Sequence, residues 1–279
     1  DNKVQQWADQ SPFNILMTQV QNNQRPSVNN NAINGHAALE FNGGQFLEHT
    51  DILDLGTGNW TFLWLGRHGT SSGQTYFGKT KFGAANGRYG IALENGQMKF
   101  YYTDVTEHVP IVPTPGTGFS MYEIGVDKTQ NFNFLSVNTT TSTQSIIGSF
   151  NHDSPYRFLI GAYNNFSDDG EVWYLNGAIP EMVFLDTRDS VTVAKVKNYL
   201  LDRYSPRINL GEDIVITDDF CAINLNAPLG FSNLLWSTGE NTQTISVDEE
   251  GQYWVQGKDG FGRVSRDTIF VDYTDIPPQ

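Results

Sequence analysis

The chain has 279 residues, 38% of them hydrophobic and 17% charged, with a net charge of −14 at pH 7. That charge disfavours nucleic acid and anionic membrane surfaces, since phosphate binding needs a basic patch, and no apolar run approaches the ~20 residues that span a bilayer. An aromatic content of 13% argues against disorder, because aromatic side chains bury large areas.

The first thirty residues are polar and rich in Asn and Gln, with Trp7, the Phe13 to Met17 cluster and Val20 as their apolar points. From Ala37 onward strand signals are dense. Ala38-Leu39-Glu40-Phe41 runs into an Asn-Gly-Gly turn and then Gln45-Phe46-Leu47-Glu48. Asn59 to Leu65 places Trp60, Phe62 and Trp64 on one face and Thr61, Leu63 and Leu65 on the other, the pattern of a strand buried on both sides. Arg88 to Leu93 and Gln97 to Tyr102 flank Glu94-Asn95-Gly96, a hairpin signal. Glu123 to Asp127, Asn131 to Val137, Arg157 to Ala162 and Glu171 to Leu175 predict further strands, and Asn176 to Asp186 reads as strand-like. One convincing helix follows. Val193, Val196, Leu200 and Tyr204 form an apolar stripe with Asp189 or Ser190 as cap and Pro206 as stop.

Beyond Pro206 the pattern changes to short strands every 8–12 residues or so: Ile214 to Thr217, Ala222 to Leu225, Asn233 to Trp236, Thr244 to Val247, Gly251 to Gly257 and Thr268 to Tyr273. The spacing suggests a small Greek-key sandwich. Residues 205–279 hold 4 Lys+Arg against 12 Asp+Glu. This acidity serves solubility; the sharper readings are calcium binding or a preference for high salt. Cys221 is the single cysteine, so no intrachain disulfide forms. The start at Asp1 without a signal peptide, and the linker-like Asp275-Ile-Pro-Pro-Gln279, read as a mature or excised part of a longer protein.

Ordered landmarks over the first 205 residues resemble a laminin-G-like, concanavalin-A-like jelly-roll domain. They are Trp7-Ala8-Asp9-Gln10-Ser11, Arg25-Pro26-Ser27-Val28, Asn34-Gly35, Phe41-Asn42-Gly43, Phe158-Leu159-Ile160-Gly161-Ala162, Asn176-Gly-Ala-Ile-Pro-Glu and the helix ending Tyr199-Leu200-Leu201-Asp202-Arg203-Tyr204. In that family a strand usually precedes the Trp-x-Asp segment. Here only Asp1 to Gln6 do, so either the chain was cut inside the domain or another chain supplies the strand. Residues 206–274 resemble the Ig-like or PKD-like modules of Bacteroidetes surface proteins, on Asn209-Leu210-Gly211-Glu212-Asp213, Leu235-Trp236-Ser237-Thr238-Gly239-Glu240 and Gly251-Gln252-Tyr253-Trp254-Val255. Many relatives pair a cysteine near position 221 with a second one after an Asp-x-x-Gly turn. Arg263 follows Asp259-Gly260-Phe261-Gly262 here, so Cys221 is expected to be a buried free thiol. The fold class expected is therefore all-β, a jelly-roll β-sandwich over 1–205 with one C-terminal helix, then a small Ig-like sandwich over 206–274 and a linker at 275–279.

Jelly rolls also host glycoside hydrolases, which need paired carboxylates, usually as Glu-x-Asp-x-Glu on one strand face. No such run occurs, and Glu181 and Asp186 would point to opposite faces of a strand. Gly69-Thr70-Ser71-Ser72-Gly73 matches a nucleophile elbow but lies in a loop between strands, without the strand-to-helix setting that motif requires. The histidines show no zinc spacing. Calcium is the better metal candidate. Asn165, Asp168, Asp169 and Glu171 gather hard oxygen donors in one loop, where the structural alternative is a solvated turn. Asp51 and Asp54 form a second candidate.

Tyr101, Tyr102, Tyr163, Phe166 and Trp173 lie near predicted loops or strand ends and are the candidates for stacking on a sugar, although most aromatics of a jelly roll are core. Trp60, Trp64 and Trp236 are expected in the core. The reading is a secreted or cell-surface, non-catalytic adhesion or recognition module, whose ligand is a glycan or a surface protein. The rival is a self-assembling structural unit of a surface filament. A glycosidase stands third.

Overall fold

A computed structural model describes residues 2–79, 88–103, 107–146, 153–165, 170–217 and 221–274. Phe166, Asp168, Asp169 and the expected linker lie outside the described residues. The chain divides into two compact units, Asp1–Leu200 and Leu201–Gln279.

The first unit is an all-β jelly-roll sandwich. Among the described residues, one sheet runs in the order Gln6–Ala8, Leu16–Thr18, Leu47–His49, Phe158–Ile160, Gln74–Lys79, Arg88–Glu94, Gln97–Thr103 and Glu107–His108, with Ile111–Pro113 also on Gln97–Thr103. The other runs Thr140–Ser145, Phe132–Val137, Ser120–Asp127, Trp60–His68, Asn176–Ile179, His36–Asn42 and Ser27–Ile33. Between them lies a core built on Trp60, Phe62, Trp64, Phe77, Tyr89, Phe100 and Tyr122. Trp64 stacks on Tyr122 with centroids 5.0 Å apart. Such ring pairs add to the area each ring buries.

The strand buried on both faces is confirmed. Trp60–His68 pairs with Ser120–Asp127 along one edge and with two short strands along the other. The stretch Asn176 to Asp186 is broken into Asn176–Ile179 and Met182–Leu185, both on Trp60–His68. Pro180 lacks the amide a continuous strand would use, and the ladder resumes with Leu65 N donating to Glu181 O at 3.2 Å. The hairpin is also confirmed: Glu94 faces Gln97 across Asn95 and Gly96, both with positive φ (52° and 73°), the type I′ geometry that Asn-Gly favours. The two segments around Asn42-Gly43-Gly44 are both strands but lie in different sheets; Leu47–His49 pairs with Phe158–Ile160. The Trp-x-Asp-x-Ser landmark makes a turn. Asp9 accepts the Ser11 amide at 2.9 Å and closes the hairpin between Gln6–Ala8 and Leu16–Thr18. Asn2 to Val4 runs beside the start of Ser27–Ile33, with Val4 N on Pro26 O and Val28 N on Asn2 O, both at 2.8 Å.

The helix spans Ser190–Tyr204. Asp189 is its cap, accepting Thr192 N at 2.8 Å and Thr192 Oγ1 at 2.7 Å. Glu123, on the central strand Ser120–Asp127, takes Arg188 at 3.1 Å and Lys197 at 3.2 Å, which ties the helix to the outer face of that sheet. Among the described residues no helix is long and apolar enough to cross a membrane.

The second unit has all six expected strands. Ile214–Thr217, Val264–Thr274, Gly251–Lys258 and Ser232–Trp236 form one sheet, in that order, and Ile223–Asn226 pairs with Thr244–Val247. Ile214–Thr217 runs parallel to Val264–Thr274. Trp236 is buried as expected and donates its indole N–H to Thr242 O at 2.9 Å. One expectation is corrected: Cys221 is exposed. It precedes strand Ile223–Asn226 rather than lying within it, and the alternation there buries Leu225 instead.

Candidate functional site

The outer face of the first sheet carries the most developed surface feature. Along Gln97–Thr103, Met98, Phe100 and Tyr102 are buried in the core, so the pleat turns Lys99 and Tyr101 outward. On Arg88–Glu94, Tyr89, Ile91 and Leu93 point into the core, which leaves Arg88, Gly90, Ala92 and Glu94 on the outer face. Register sets Gly90 opposite Tyr101 and Ala92 opposite Lys99, a low floor between taller neighbours. A Cβ at Gly90 would stand 3.1 Å from Tyr163 Cε2, so Tyr163 lies over that glycine. Trp173 packs against Tyr163 with centroids 5.7 Å apart.

Loop 69–73 and the Asn95-Gly96 turn form the adjacent rim. Ser72 Oγ accepts Asn95 N at 3.0 Å, and Gly73 N donates to Leu93 O at 2.9 Å. Gly73 has φ 73°, and a Cβ there would meet Trp173 Cδ1 at 3.3 Å. Gln74, buried, braces the loop through Ser71 O at 2.6 Å and Asn176 N at 2.9 Å. The loop leads into the strand Gln74–Lys79 and not into a helix, so the Gly-x-Ser-x-Gly match has no elbow geometry. Trp173 itself is half-buried and holds φ 54°, a left-handed conformation that costs a bulky side chain about 1–2 kcal/mol.

The polar groups of this face are engaged with one another. Glu94 Oε2 accepts Lys99 Nζ at 2.7 Å and Tyr101 OH at 2.6 Å. The hydrogen bond from Lys99, then that from Tyr101, holds the Glu94 carboxyl below the usual carboxylate range. Burial, followed by the Glu94 acceptor, pushes the Tyr101 phenol up. The Arg88 guanidinium lies 5.1 Å from the Tyr101 ring centroid, within cation–π range.

Behind the aromatic pair is a charged clamp. Arg157 Nη1 contacts Glu48 Oε2 at 2.7 Å and Glu171 Oε1 at 2.8 Å, while Nη2 donates to Asn164 Oδ1 at 2.6 Å. Asn164 and Glu171 are register partners in the hairpin of Tyr163–Asn164 and Glu171–Val172. One guanidinium therefore fixes both strands that lead to Tyr163 and Trp173. Burial, then neighbouring Glu171, raises the Tyr174 phenol.

Of the aromatic residues expected at a site, Tyr101, Tyr163 and Trp173 meet on this face. Two are corrected as stacking platforms. Tyr102 is fully buried, its ring 6.2 Å from Trp60, because it shares the inward phase of Met98 and Phe100. Tyr163 is 1% exposed and supports Trp173 rather than presenting a free face. Phe166 lies outside the described residues. Glu94, Lys99, Arg88 and Arg157 were not singled out from sequence.

The calcium candidates do not gather a cation site among the described residues, where no group of three or more His, Cys, Asp or Glu could hold a metal ion. Asn165 donates its backbone N–H to Gly170 O at 3.0 Å. Glu171 already carries the Arg157 guanidinium, which opposes a divalent cation at the same oxygen. Asp168 and Asp169 lie outside the described residues. At the second candidate, Asp51 and Asp54 both pair with Lys79.

The sequence matches no protein-family model and no curated protein. Among solved structures it is similar to domain 4 of the extracellular arabinanase AbnA from Geobacillus stearothermophilus, in complex with arabinotriose, at 14% identity and TM-score 0.42 over 57% of this chain and 74% of that one. It is similar to the CBM40 of the Ruminococcus gnavus IT-sialidase bound to α2,3-sialyllactose, at 15% identity and TM-score 0.44 over 57% of this chain and 95% of that one. It is also similar to domains LG4-5 of the mouse laminin α1 chain, at 11% identity and TM-score 0.43, spanning 52% of this chain and 41% of that one.

Proposed function

We propose that the first unit is an extracellular, non-catalytic recognition domain that binds a glycan on the outer face of its first sheet, against Trp173 and Tyr101. The observation that carries this is Trp173 itself: a half-exposed indole held in a left-handed backbone conformation, braced by Tyr163 and Gly73 beside a glycine floor. Backbone strain at an exposed aromatic points to use, because the fold has to sustain it. A sugar ring presents an apolar face to an indole and hydroxyls to Glu94, Lys99 and the Tyr101 phenol, which matches a shallow site with a few placed polar groups. Cleavage would require two carboxylates flanking the bond, and Glu94 is tied to Lys99 and Tyr101. Calcium has no assigned role in this reading. The second unit acts as an Ig-like spacer.

Isothermal titration against a panel of neutral and acidic oligosaccharides tests the proposal. Trp173→Ala is expected to weaken the bound member about ten- to hundredfold, equivalent to roughly 1.4–2.8 kcal/mol, measured at a temperature where the variant remains folded. Wild-type protein that binds no oligosaccharide, or a Trp173→Ala variant that binds as well as wild type, would sink the reading. The rival is self-assembly through a sheet edge. Thr140–Ser145 ends its sheet among the described residues, and its exposed Thr and Ser side chains lack the apolar face that drives edge-to-edge association. Sedimentation of the same samples as monomer is the expected outcome.

A further inference from the structure

Lys79 is the most deeply buried charged side chain described, with 0% of its side chain exposed. It ends the strand Gln74–Lys79, and its register partners on either side are Tyr89 and Phe158. Both rings belong to the core, so the methylene stem of Lys79 shares the inward face with them and carries the ammonium to the end of the sandwich. There it contacts Asp51 Oδ1 at 2.8 Å and also Asp54 Oδ1. The loop bearing these carboxylates is held independently. Tyr89 OH donates to Leu53 O at 2.9 Å, Leu53 has φ 58°, and Asp54 Oδ1 also accepts Ser154 N at 3.3 Å.

Two carboxylates, 52% and 39% exposed, thus converge from the solvent side on one point, and a protein ammonium occupies it from the core side. A divalent cation in that cradle would have to displace Lys79 into surroundings of aromatic rings or sit beside a fixed positive charge, and both are costly. We infer that Lys79 is a built-in counter-ion which takes the place of a metal between Asp51 and Asp54, so that this rim of the domain is ordered without calcium. The inference concerns the inward face of Gln74–Lys79, whereas the proposed glycan site lies on the outer face of the sheet, and it does not depend on that site.

The test compares thermal unfolding in millimolar CaCl2 and in EDTA for wild type, Lys79→Met, and the double variant Asp51→Asn/Asp54→Asn. Methionine keeps an unbranched stem and removes the charge, leaving an acidic cradle open to an oxygen-seeking cation. Lys79→Met is expected to gain a calcium-dependent rise in midpoint of about 3–6 °C at calcium tenfold above its dissociation constant. That gain should vanish when Asp51→Asn/Asp54→Asn is added. Wild type and the Asp51→Asn/Asp54→Asn variant should respond to calcium alike, whatever other sites the chain has. A calcium response in wild type that Asp51→Asn/Asp54→Asn removes would overturn the inference, as would a folded Lys79→Met variant that responds no more than wild type. If Lys79→Met does not fold in either condition, the wild-type against double-variant comparison decides alone: equal responses support the counter-ion role, and a lost response refutes it.

Discussion

Gly177→Ala is expected to destabilise the first unit by at least about 3 kcal/mol, at the upper end of overpacking costs. Gly177 lies on Asn176–Ile179, between Phe41 of one neighbour and His68 of the other. A Cβ there would fall on the carbonyl oxygen of Arg67, 2.9 Å from its carbon and 3.0 Å from His68 Cα. These are main-chain atoms of the central strand, so no side-chain rotamer relieves the clash and the two strands must separate. Alanine would otherwise favour a strand interior over glycine by roughly 0.5–1 kcal/mol; the steric cost outweighs that gain several-fold. Chemical denaturation read by tryptophan fluorescence measures it. Gly44→Ala is the control, since nothing lies within 4 Å of its Cβ position, and it should stay within about 0.5 kcal/mol of wild type. Equal midpoints for the two variants would show that the strand pair yields more easily than this geometry allows.

Much of the fold was legible because local chemistry and global position agree at particular residues. Trp60 to Leu65 is apolar on both faces since it crosses the middle of a sheet with a helix outside it. Asn95-Gly96 reads as a hairpin because both residues need positive φ and both tolerate it. The helix shows its stripe and its Asp189 cap. What failed was non-local. Asn42-Gly43-Gly44 reads as a turn between two strands, yet the chain changes sheets there, and Leu47–His49 pairs with Leu16–Thr18 and with Phe158–Ile160, the second more than a hundred residues away. Gln74–Lys79 escaped notice because Gln74 and Lys79 are usually surface residues. Here Gln74 is consumed by backbone groups of loop 69–73 and of Asn176, and Lys79 by two aspartates. Thr140–Ser145 was missed for the opposite reason: an outer strand with no buried face has no hydrophobic phase to read.

The candidate site was legible in part. Consecutive Tyr101 and Tyr102 must point to opposite faces of a strand, and Met98 and Phe100 already mark the even positions as inward; that alternation could have separated the exposed tyrosine from the buried one. The same phase would have drawn Lys99 and Glu94 into view beside Tyr101. Arg157 could not be found this way, because Glu48, Asn164 and Glu171 converge on it from three segments that only the tertiary fold brings together. Asp51 and Asp54 read as a calcium candidate because carboxylate spacing is visible in sequence, whereas Lys79, which arrives from another strand to pair with both, is not.

Arg157→Met is the variant in which that hidden convergence has its largest consequence. Removing the guanidinium leaves Glu48 and Glu171, whose side chains are 30% and 12% exposed, as like charges facing a vacated centre, and takes the donor from the Oδ1 of fully buried Asn164. Breaking one side of a fully buried ion pair costs about 3–5 kcal/mol; the water around Glu48 screens part of this, so roughly 2–4 kcal/mol is expected. Lysine should recover only a fraction, because a point charge on a flexible stem cannot reproduce a planar fork that serves three acceptors. The loss should be localised. The hairpin of Tyr163–Asn164 and Glu171–Val172 carries the Tyr163–Trp173 pair, so near-ultraviolet circular dichroism and hydrogen exchange should report loosening there before global unfolding. In the same variant, ligand affinity should fall even under conditions where the protein remains folded. Unchanged exchange in this hairpin alongside lowered global stability would confine Arg157 to a purely structural role and leave the aromatic pair held by Gly73 and Gly90 alone.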